Sequence, residues 1–270
     1  MPELPEVEII KTELSSNIIN SLVLKTYSKN ITLRNKLIPD VSILIDQKIK
    51  KIERRNKYII VKFDKNLLII HLGMTGKLIF EKNLNLLKHT HFYLELNNGF
   101  LTYTDARRFG LIDIFDINTS LDNISYTKNL GIEPLGNNFN YDLFYILIKK
   151  HKTNIKKFLM DSNIICGIGN IYASEILFLS KVSPERLTTT LNNNEIKLIF
   201  DNIIFILNKA ISLGGSSISD FVHTNGSSGE MQNFYNVYNR YNEDCKICSN
   251  KILRIKQYGR STYYCQSCQN

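Results

Sequence analysis

Two Cys-x-x-Cys hooks close this sequence, Cys245 with Cys248 and Cys265 with Cys268, and sixteen residues lie between them. Zinc favours a closed tetrahedron of soft ligands, and four thiolates at this spacing supply one. The same residues could instead form disulfides or a metal-free redox pair. A chain with no secretory signal points towards reduced thiols and a cytosolic setting. With all four positions taken, such a zinc is expected to be structural, and four thiolates favour zinc over other metals. Arg254, Lys256, Arg260, Thr262 and Tyr264 lie between the hooks. A metal-stapled hairpin that carries cations is suited to phosphate.

The other end of the chain offers a different chemistry. If Met1 is removed, Pro2 becomes a secondary amine. Such an amine can attack an aldehyde-like sugar carbon and form an iminium, which stays cationic and acts as an electron sink. The positive end of a helix dipole would favour the neutral, nucleophilic amine. Glu3 and Glu6 are three apart and share a helical face beside it, as an acid–base pair would. Taken alone, the octapeptide favours an ordinary first turn with Pro and Glu in usual places.

These groups must be positioned by something. Apolar spacing predicts a helix over 5–19. Strand-like runs follow at 23–24, 58–63, 67–71, 77–80, 91–96 and 100–104, parted by turn signals, and suggest a sandwich or barrel. Helical patterns take over at 141–152, 156–161, 168–181 and 194–213. Residues 214–230 are rich in Gly and Ser and read as a long, mobile, functional loop. The pattern is α+β multidomain: a β half, sandwich or barrel, headed by an N-terminal helix, then a helical half and a C-terminal hairpin carrying the cysteine hooks. The expected bounds are 1–132, 133–232 and 233–270. The length suits more than one domain, and 43% hydrophobic residues is ordinary for a globular protein. No apolar run is long enough to span a membrane. A net charge of +9 favours a polyanionic partner. The fifth cysteine, Cys166, sits in an apolar run and reads as a buried bystander.

Five motifs, in order, carry a resemblance that covers essentially the whole chain. Pro2-Glu3-Leu4-Pro5-Glu6-Val7-Glu8 resembles the start of the bacterial formamidopyrimidine-DNA glycosylases (Fpg, or MutM). His71-Leu72-Gly73-Met74-Thr75-Gly76 resembles their strand-end motif, and Asp105-Ala106-Arg107-Arg108-Phe109-Gly110 their intercalation loop. Residues 155–161 and 167–175 resemble their helix–two-turn–helix, and 259–269 the tip and end of their zinc finger. The resemblance implies an α+β multidomain fold: an N-terminal β-sandwich with a catalytic N-terminal helix, a helix–two-turn–helix DNA-binding domain and a C-terminal β-hairpin zinc finger. It also implies a base-excision-repair glycosylase and AP lyase. It would remove 8-oxoguanine and formamidopyrimidines from duplex DNA, as a bacterial cytoplasmic monomer with one structural zinc ion. The duplex is expected in the cleft between the two main domains.

It also implies roles. Pro2 would be the nucleophile, Glu3 the general acid, and Glu6 a sugar-positioning and proton-shuttling group. Lys57 would lie near the lesion phosphates. Met74, Arg107 and Phe109 would fill the gap left by the everted nucleotide, and Arg107 would also meet the opposite base. Asn170 and Arg260 would clamp phosphates, with Lys156 and His71 assisting. Outside the motifs, Met74 and Phe109 would be core residues, Lys57 part of a solvated strand edge, and Asn170 a plain helix cap.

The chain departs from the family pattern at Thr75, where many relatives hold Glu or Arg, and at Lys157, where Pro is usual. Asn239 stands where a turn normally has Gly, a mild change because Asn tolerates left-handed backbone. Residues 216–229 resemble the lesion-capping loop but are little constrained in sequence, so they leave lesion choice open. The endonuclease VIII type, which prefers pyrimidine lesions, is the rival within the superfamily; Leu4 and the Phe109 motif argue against it. A non-catalytic damage binder would need the zinc and basic surface but not Pro2, Glu3 or Lys57.

Overall fold

Helix α1 (Leu4–Ile18) begins where a reciprocal capping box forms between Glu3 and Glu6, with Pro5 in the first turn. Pro suits that turn because its missing N–H would have no intrahelical partner. Leu4, Val7, Ile10, Leu14 and Ile18 recur at helical spacing and are fully buried. Asn20, at φ +66°, turns the chain out of the helix.

The computed structural model describes residues 1–34, 36–217 and 222–270. The chain divides into two units, Met1–Lys128 with Ile211–Gln232, and Asn129–Ala210 with Asn233–Asn270.

In the first unit, α1 is followed by β1 (Val23–Ser28), β2 (Thr32–Leu33), β3 (Lys36–Leu37), β4 (Lys51–Arg55), β5 (Tyr58–Lys62) and β6 (Asn66–His71). Then come β7 (Lys77–Glu81), β8 (Thr90–Leu96), β9 (Gly99–Thr104) and β10 (Leu111–Asp116). Two four-stranded antiparallel sheets result, ordered β1-β8-β9-β7 and β10-β6-β5-β4, while β2 and β3 pair with each other. Strand β6 is buried along its whole length, as an inner strand covered on both faces should be. Val7, Ile10, Leu14 and Ile18 of α1 join Ile59, Val61, Leu68, Ile70, Leu94 and Leu101 of the sheets in one core.

Strands β4 and β10 were not expected from the sequence. Strand β4 reads Lys-Ile-Glu-Arg-Arg, with one buried residue. It is an edge strand whose charges are satisfied laterally: Glu53 pairs with Lys51 at 2.7 Å and Lys62 at 2.8 Å. Charge on an edge protects against further strand pairing, and it also hides the strand from a hydrophobicity reading.

The second unit holds α2 (Tyr141–Lys150), α3 (Ile155–Met160), α4 (Asn170–Leu179) and α5, which starts here and runs Asn193–Ser212. Asn140 Oδ1 caps α2 through the Leu143 N–H at 2.9 Å, and Asn154 Oδ1 caps α3 through the Lys156 N–H at 3.0 Å. Phe139, Phe144, Phe158 and Phe200 pack as an aromatic cluster. Cys166 is fully buried, as expected. The hairpin β11 (Leu253–Gln257) and β12 (Arg260–Tyr264) lies between the cysteine hooks. Glu175 on α4 is buried and takes the N–H groups of Val237 and Tyr238 on one oxygen and of Asn236 on the other, all at 2.9 Å. That grip fixes the turn leading to the finger, where Asn239 adopts φ +60°.

Candidate active site and nucleic-acid interface

Pro2, Glu3 and Glu6 are all buried at the head of α1, where the residual positive potential of the helix lies. The Glu3 N–H donates to Glu6 Oε2 at 2.8 Å. The other Glu6 oxygen, Oε1, accepts the Ser216 N–H at 2.9 Å. This bond needs the loop backbone to approach closely. A side chain on Gly215, at φ +73°, would sit 3.1 Å from Glu6 Oε1 and 3.2 Å from Ile9 Cδ1. Seven residues further along α1, about two helical turns, Glu13 grips the same loop. Its Oε2 accepts the Thr224 N–H at 2.8 Å and the Thr224 hydroxyl at 2.9 Å. Its Oε1 faces His223 Nδ1, while His223 Nε2 donates to the Gly214 carbonyl at 2.9 Å. The loop expected to be mobile is therefore anchored at both described ends; residues 218–221 of the expected capping loop lie outside the described residues.

Glu8 joins α1 to the β4–β5 turn by accepting from Arg54 Nε at 2.6 Å. Burial would raise the Glu8 carboxyl, but the hydrogen bonds from Lys11 and Arg54 outweigh it and hold it below the usual range. Arg54 Nη1 also donates to the Asn56 carbonyl at 2.9 Å, which steadies the turn presenting Lys57. Tyr58 pairs with His71 across β5 and β6. Burial, with the charges of Arg34 and Lys57 nearby, brings the His71 imidazole down to about 3. His71 Nδ1 accepts from the Gly73 N–H at 2.9 Å and faces Arg34 Nη2 at 2.9 Å. The neutral ring is thus an acceptor at Nδ1, and the proton sits on Nε2.

Met74, Arg107 and Phe109 come together because two turns touch backbone to backbone. A Cβ on Gly73 would lie 2.4 Å from the Phe109 carbonyl carbon, and Gly73 has φ +63°. Asp105, fully buried, receives the Gly110 N–H on Oδ2 at 2.8 Å and the Thr75 hydroxyl on Oδ1. The Arg107 N–H donates to the Thr75 hydroxyl oxygen at 3.1 Å, so Thr75 bridges the two turns. The Arg107 guanidinium stacks 4.8 Å from the centre of the Phe109 ring, which is 45% exposed. An aromatic ring half in water on a rigid loop is not a core residue. Arg34, which sequence reasoning passed over, locks this loop further. Its N–H donates to the Arg108 carbonyl and its Nε to the Phe109 carbonyl, at 2.9 and 3.0 Å. One of two cations in a short hairpin, Arg34 gave no signal by type or spacing.

In the second unit, Lys156 is buried and its ammonium donates to Asn170 Oδ1 at 2.7 Å and Thr262 Oγ1 at 2.6 Å. Asn170 Nδ2 donates to the Ser261 carbonyl at 2.9 Å. Lys156 therefore joins the start of α4 to the strand that begins with Arg260, and its ammonium points inward. Arg260 itself is exposed at the hairpin tip. The four hook sulfurs lie within 4.8 Å of one another, with Cys248–Cys265 at 3.4 Å and Cys245–Cys268 at 3.8 Å. Zn–S bonds of about 2.3 Å in a tetrahedron require sulfurs about 3.8 Å apart, whereas a disulfide requires about 2.05 Å. The donor set fits one structural zinc. The Asn250 N–H holds the Cys248 thiol down to about 7, whereas burial pushes Cys265 and Cys268 up. Four thiolates this close need a cation to ionise together.

Three family models match in order. The formamidopyrimidine-DNA glycosylase N-terminal domain covers 1–112, its H2TH domain 130–222, and the zinc finger found in FPG and IleRS 242–270. A formamidopyrimidine-DNA glycosylase of Wolbachia pipientis subsp. Culex pipiens is 42% identical over 274 residues, covering 100% of both chains. The Lactococcus lactis Fpg in complex with abasic-site DNA is 35% identical, with a TM-score of 0.90 and 99% of each chain covered. The same values hold for that enzyme bound to DNA containing N7-benzyl-Fapy-dG. With full-length relatives at this identity, and with the carboxylates, the 105–110 turn and the four-thiolate finger in the order the motifs implied, the chain belongs to the formamidopyrimidine-DNA glycosylase family.

Proposed function

We propose that this protein is a bifunctional DNA glycosylase and AP lyase that removes oxidised purines, 8-oxoguanine and formamidopyrimidines, from duplex DNA. The observation that carries the reading is the meeting of Pro2 with buried Glu3 and Glu6 at the head of α1. Removal of Met1 exposes the Pro2 secondary amine. Its lone pair attacks C1′ of the damaged nucleotide, the N-glycosidic bond breaks, and the base leaves with a proton. Glu3 supplies a proton to the sugar oxygen as the ring opens, and an iminium links Pro2 to C1′. The iminium acidifies C2′–H. Loss of that proton expels the 3′ phosphate, and a second elimination expels the 5′ phosphate. Hydrolysis of the remaining imine then frees Pro2. Glu6 aligns the sugar and relays protons, within limits set by its bonds to Glu3 and Ser216.

C1′ is reached only after the nucleotide leaves the stack, at a cost of a few kcal/mol. Met74, Arg107 and Phe109 fill the gap and offset part of that cost, with Arg107 facing the opposite base. Lys57, Asn170 and Arg260 hold phosphates. His71 and Lys156 act by position: His71 braces the wedge loop through Gly73 and Arg34, and Lys156 orients Asn170 and the finger strand. The zinc supplies no chemistry to the sugar; it fixes the hairpin that presents Arg260. No helix among the described residues is long and apolar enough to cross a membrane. The protein is expected to act as a monomer in the bacterial cytoplasm, on DNA.

The test is borohydride trapping on an 8-oxoguanine:C duplex, followed by mass spectrometry of the cross-linked peptide. The expected product is a reduced adduct on Pro2. Absence of an adduct from folded, zinc-loaded protein lacking Met1 overturns the reading for this lesion, and a duplex with an oxidised pyrimidine then tests the rival lesion class.

A further inference from the structure

The finger hairpin turns through two residues, Tyr258 and Gly259, between the paired Gln257 and Arg260. Both have left-handed backbone, at φ +49° and +75°. Such turns favour Asn or Asp before Gly, because a bulky side chain in that region is strained. Tyr258 is therefore an expensive choice for folding. The residue is also 61% exposed, so burial does not offset the strain. Strain held at an exposed position is a pointer to function.

The ring has one described companion, the ammonium of Lys157, 5.4 Å from its centre. Lys157 is exposed and follows Lys156, whose own ammonium is turned inward to Asn170 and Thr262. Lys157, Tyr258, Arg260, Gln257, Met160 and Asp161 are among the residues that surround a cavity of about 260 Å³. Asp161 is acidic, but one of its oxygens accepts the Asn163 N–H at 2.9 Å, and three lysine or arginine residues line the same space. A cation resting on an aromatic face is confined without being neutralised. It is aimed for a phosphate in a way that a free lysine is not.

We propose that Lys157 and Tyr258 form a second phosphate subsite beside Arg260, which takes the neighbouring phosphodiester of the same DNA strand. Lys157 makes the contact, and Tyr258 is the platform that holds its ammonium in place. The inference rests on the DNA-binding part of the proposed function.

The test uses the full zinc-loaded chain and a duplex carrying a stable abasic analogue, with Kd measured against salt. Lys157→Gln should lower the slope of log K against log salt by about 0.9 and weaken binding several-fold at low salt, equally for damaged and undamaged duplexes. Tyr258→Asn should weaken binding by a smaller factor while Tm holds or rises, because Asn accepts the left-handed turn. A merely structural tyrosine would lower Tm and leave Kd alone, and that result overturns the inference. So does an unchanged slope in Lys157→Gln when Arg260→Gln weakens binding. If the wild-type chain shows no salt-dependent duplex binding at all, the proposed function fails and this subsite with it.

Discussion

The β unit and the zinc finger solve the same problem, holding a functional loop still, by different physics. The 105–110 turn of the β unit is backed by a continuous apolar core and by backbone-to-backbone contact at Gly73, with Asp105, Thr75 and Arg34 as redundant ties. The finger has little core to lean on. Its cluster is Phe178, Val237 and Ile252 together with the metal ligands Cys245 and Cys265 themselves. Apolar burial is distributed, at about 1.5–3 kcal/mol per large side chain, so no single residue carries it. A metal is concentrated, with apparent binding free energies of about 10–16 kcal/mol in small zinc modules. One region should therefore fail by degrees and the other all at once.

The largest test is removal of the metal. Chelation, or Cys265→Ser, should weaken duplex binding by about a hundredfold or more, while the far-UV signal of the β unit persists. Equal loss of structure in both regions would break the contrast. Next, Lys156→Met removes the donor that faces Asn170 and Thr262. Leaving buried acceptors unsatisfied costs about 1–3 kcal/mol, so duplex affinity should fall about tenfold with the zinc still bound, as metal analysis would show.

In the β unit, Gly73→Ala forces its Cβ against the Phe109 backbone. Redundant ties should limit the damage to about 1–3 kcal/mol of stability and a loss of lesion eversion larger than the loss of duplex affinity. Fluorescence of a base analogue at the lesion reads the first, and titration the second. The last effect, absent at neutral pH, is a pH dependence. His71 is held neutral with its folded value near 3, below the unfolded value of about 6.5. The unfolded chain binds the extra proton between those values. Stability should therefore fall as pH drops through that window, by at most about 1.4 kcal/mol per unit, with no contribution above it. His71→Asn, which keeps an acceptor for Gly73, should flatten that part of a denaturation series.

What could be read in advance follows the same division. The four cysteines and the helical patterns were legible because their signals are local: a fixed spacing, or a face repeating along one element. The bounds of α1 and α5 lie within a residue or so of expectation. Strand β4 was missed because four of its five residues are charged and only Ile52 is buried, so it shows no apolar alternation. Arg34 and Glu13 were missed for a related reason. Their partners lie far off in the chain, at Phe109 and Thr224, and nothing near either residue marks it. Lys156 was legible as a cation of the motif, but its inward direction is a property of the packed unit.

The contact between Gly73 and the Phe109 backbone has a consequence for how a lesion is found. Met74 and Phe109 are distant in sequence, yet their turns are in backbone contact, with Arg107 already stacked on the ring. If these turns enter DNA as proposed, the loss of freedom that would accompany insertion has already occurred during folding. A probe that arrives preshaped needs no rearrangement of its own at each base pair it samples. The dwell time per step is then governed by how readily the duplex opens. A weakened pair, as at a damaged base, would be detected by the ease of its own yielding before any group in the catalytic pocket had touched it.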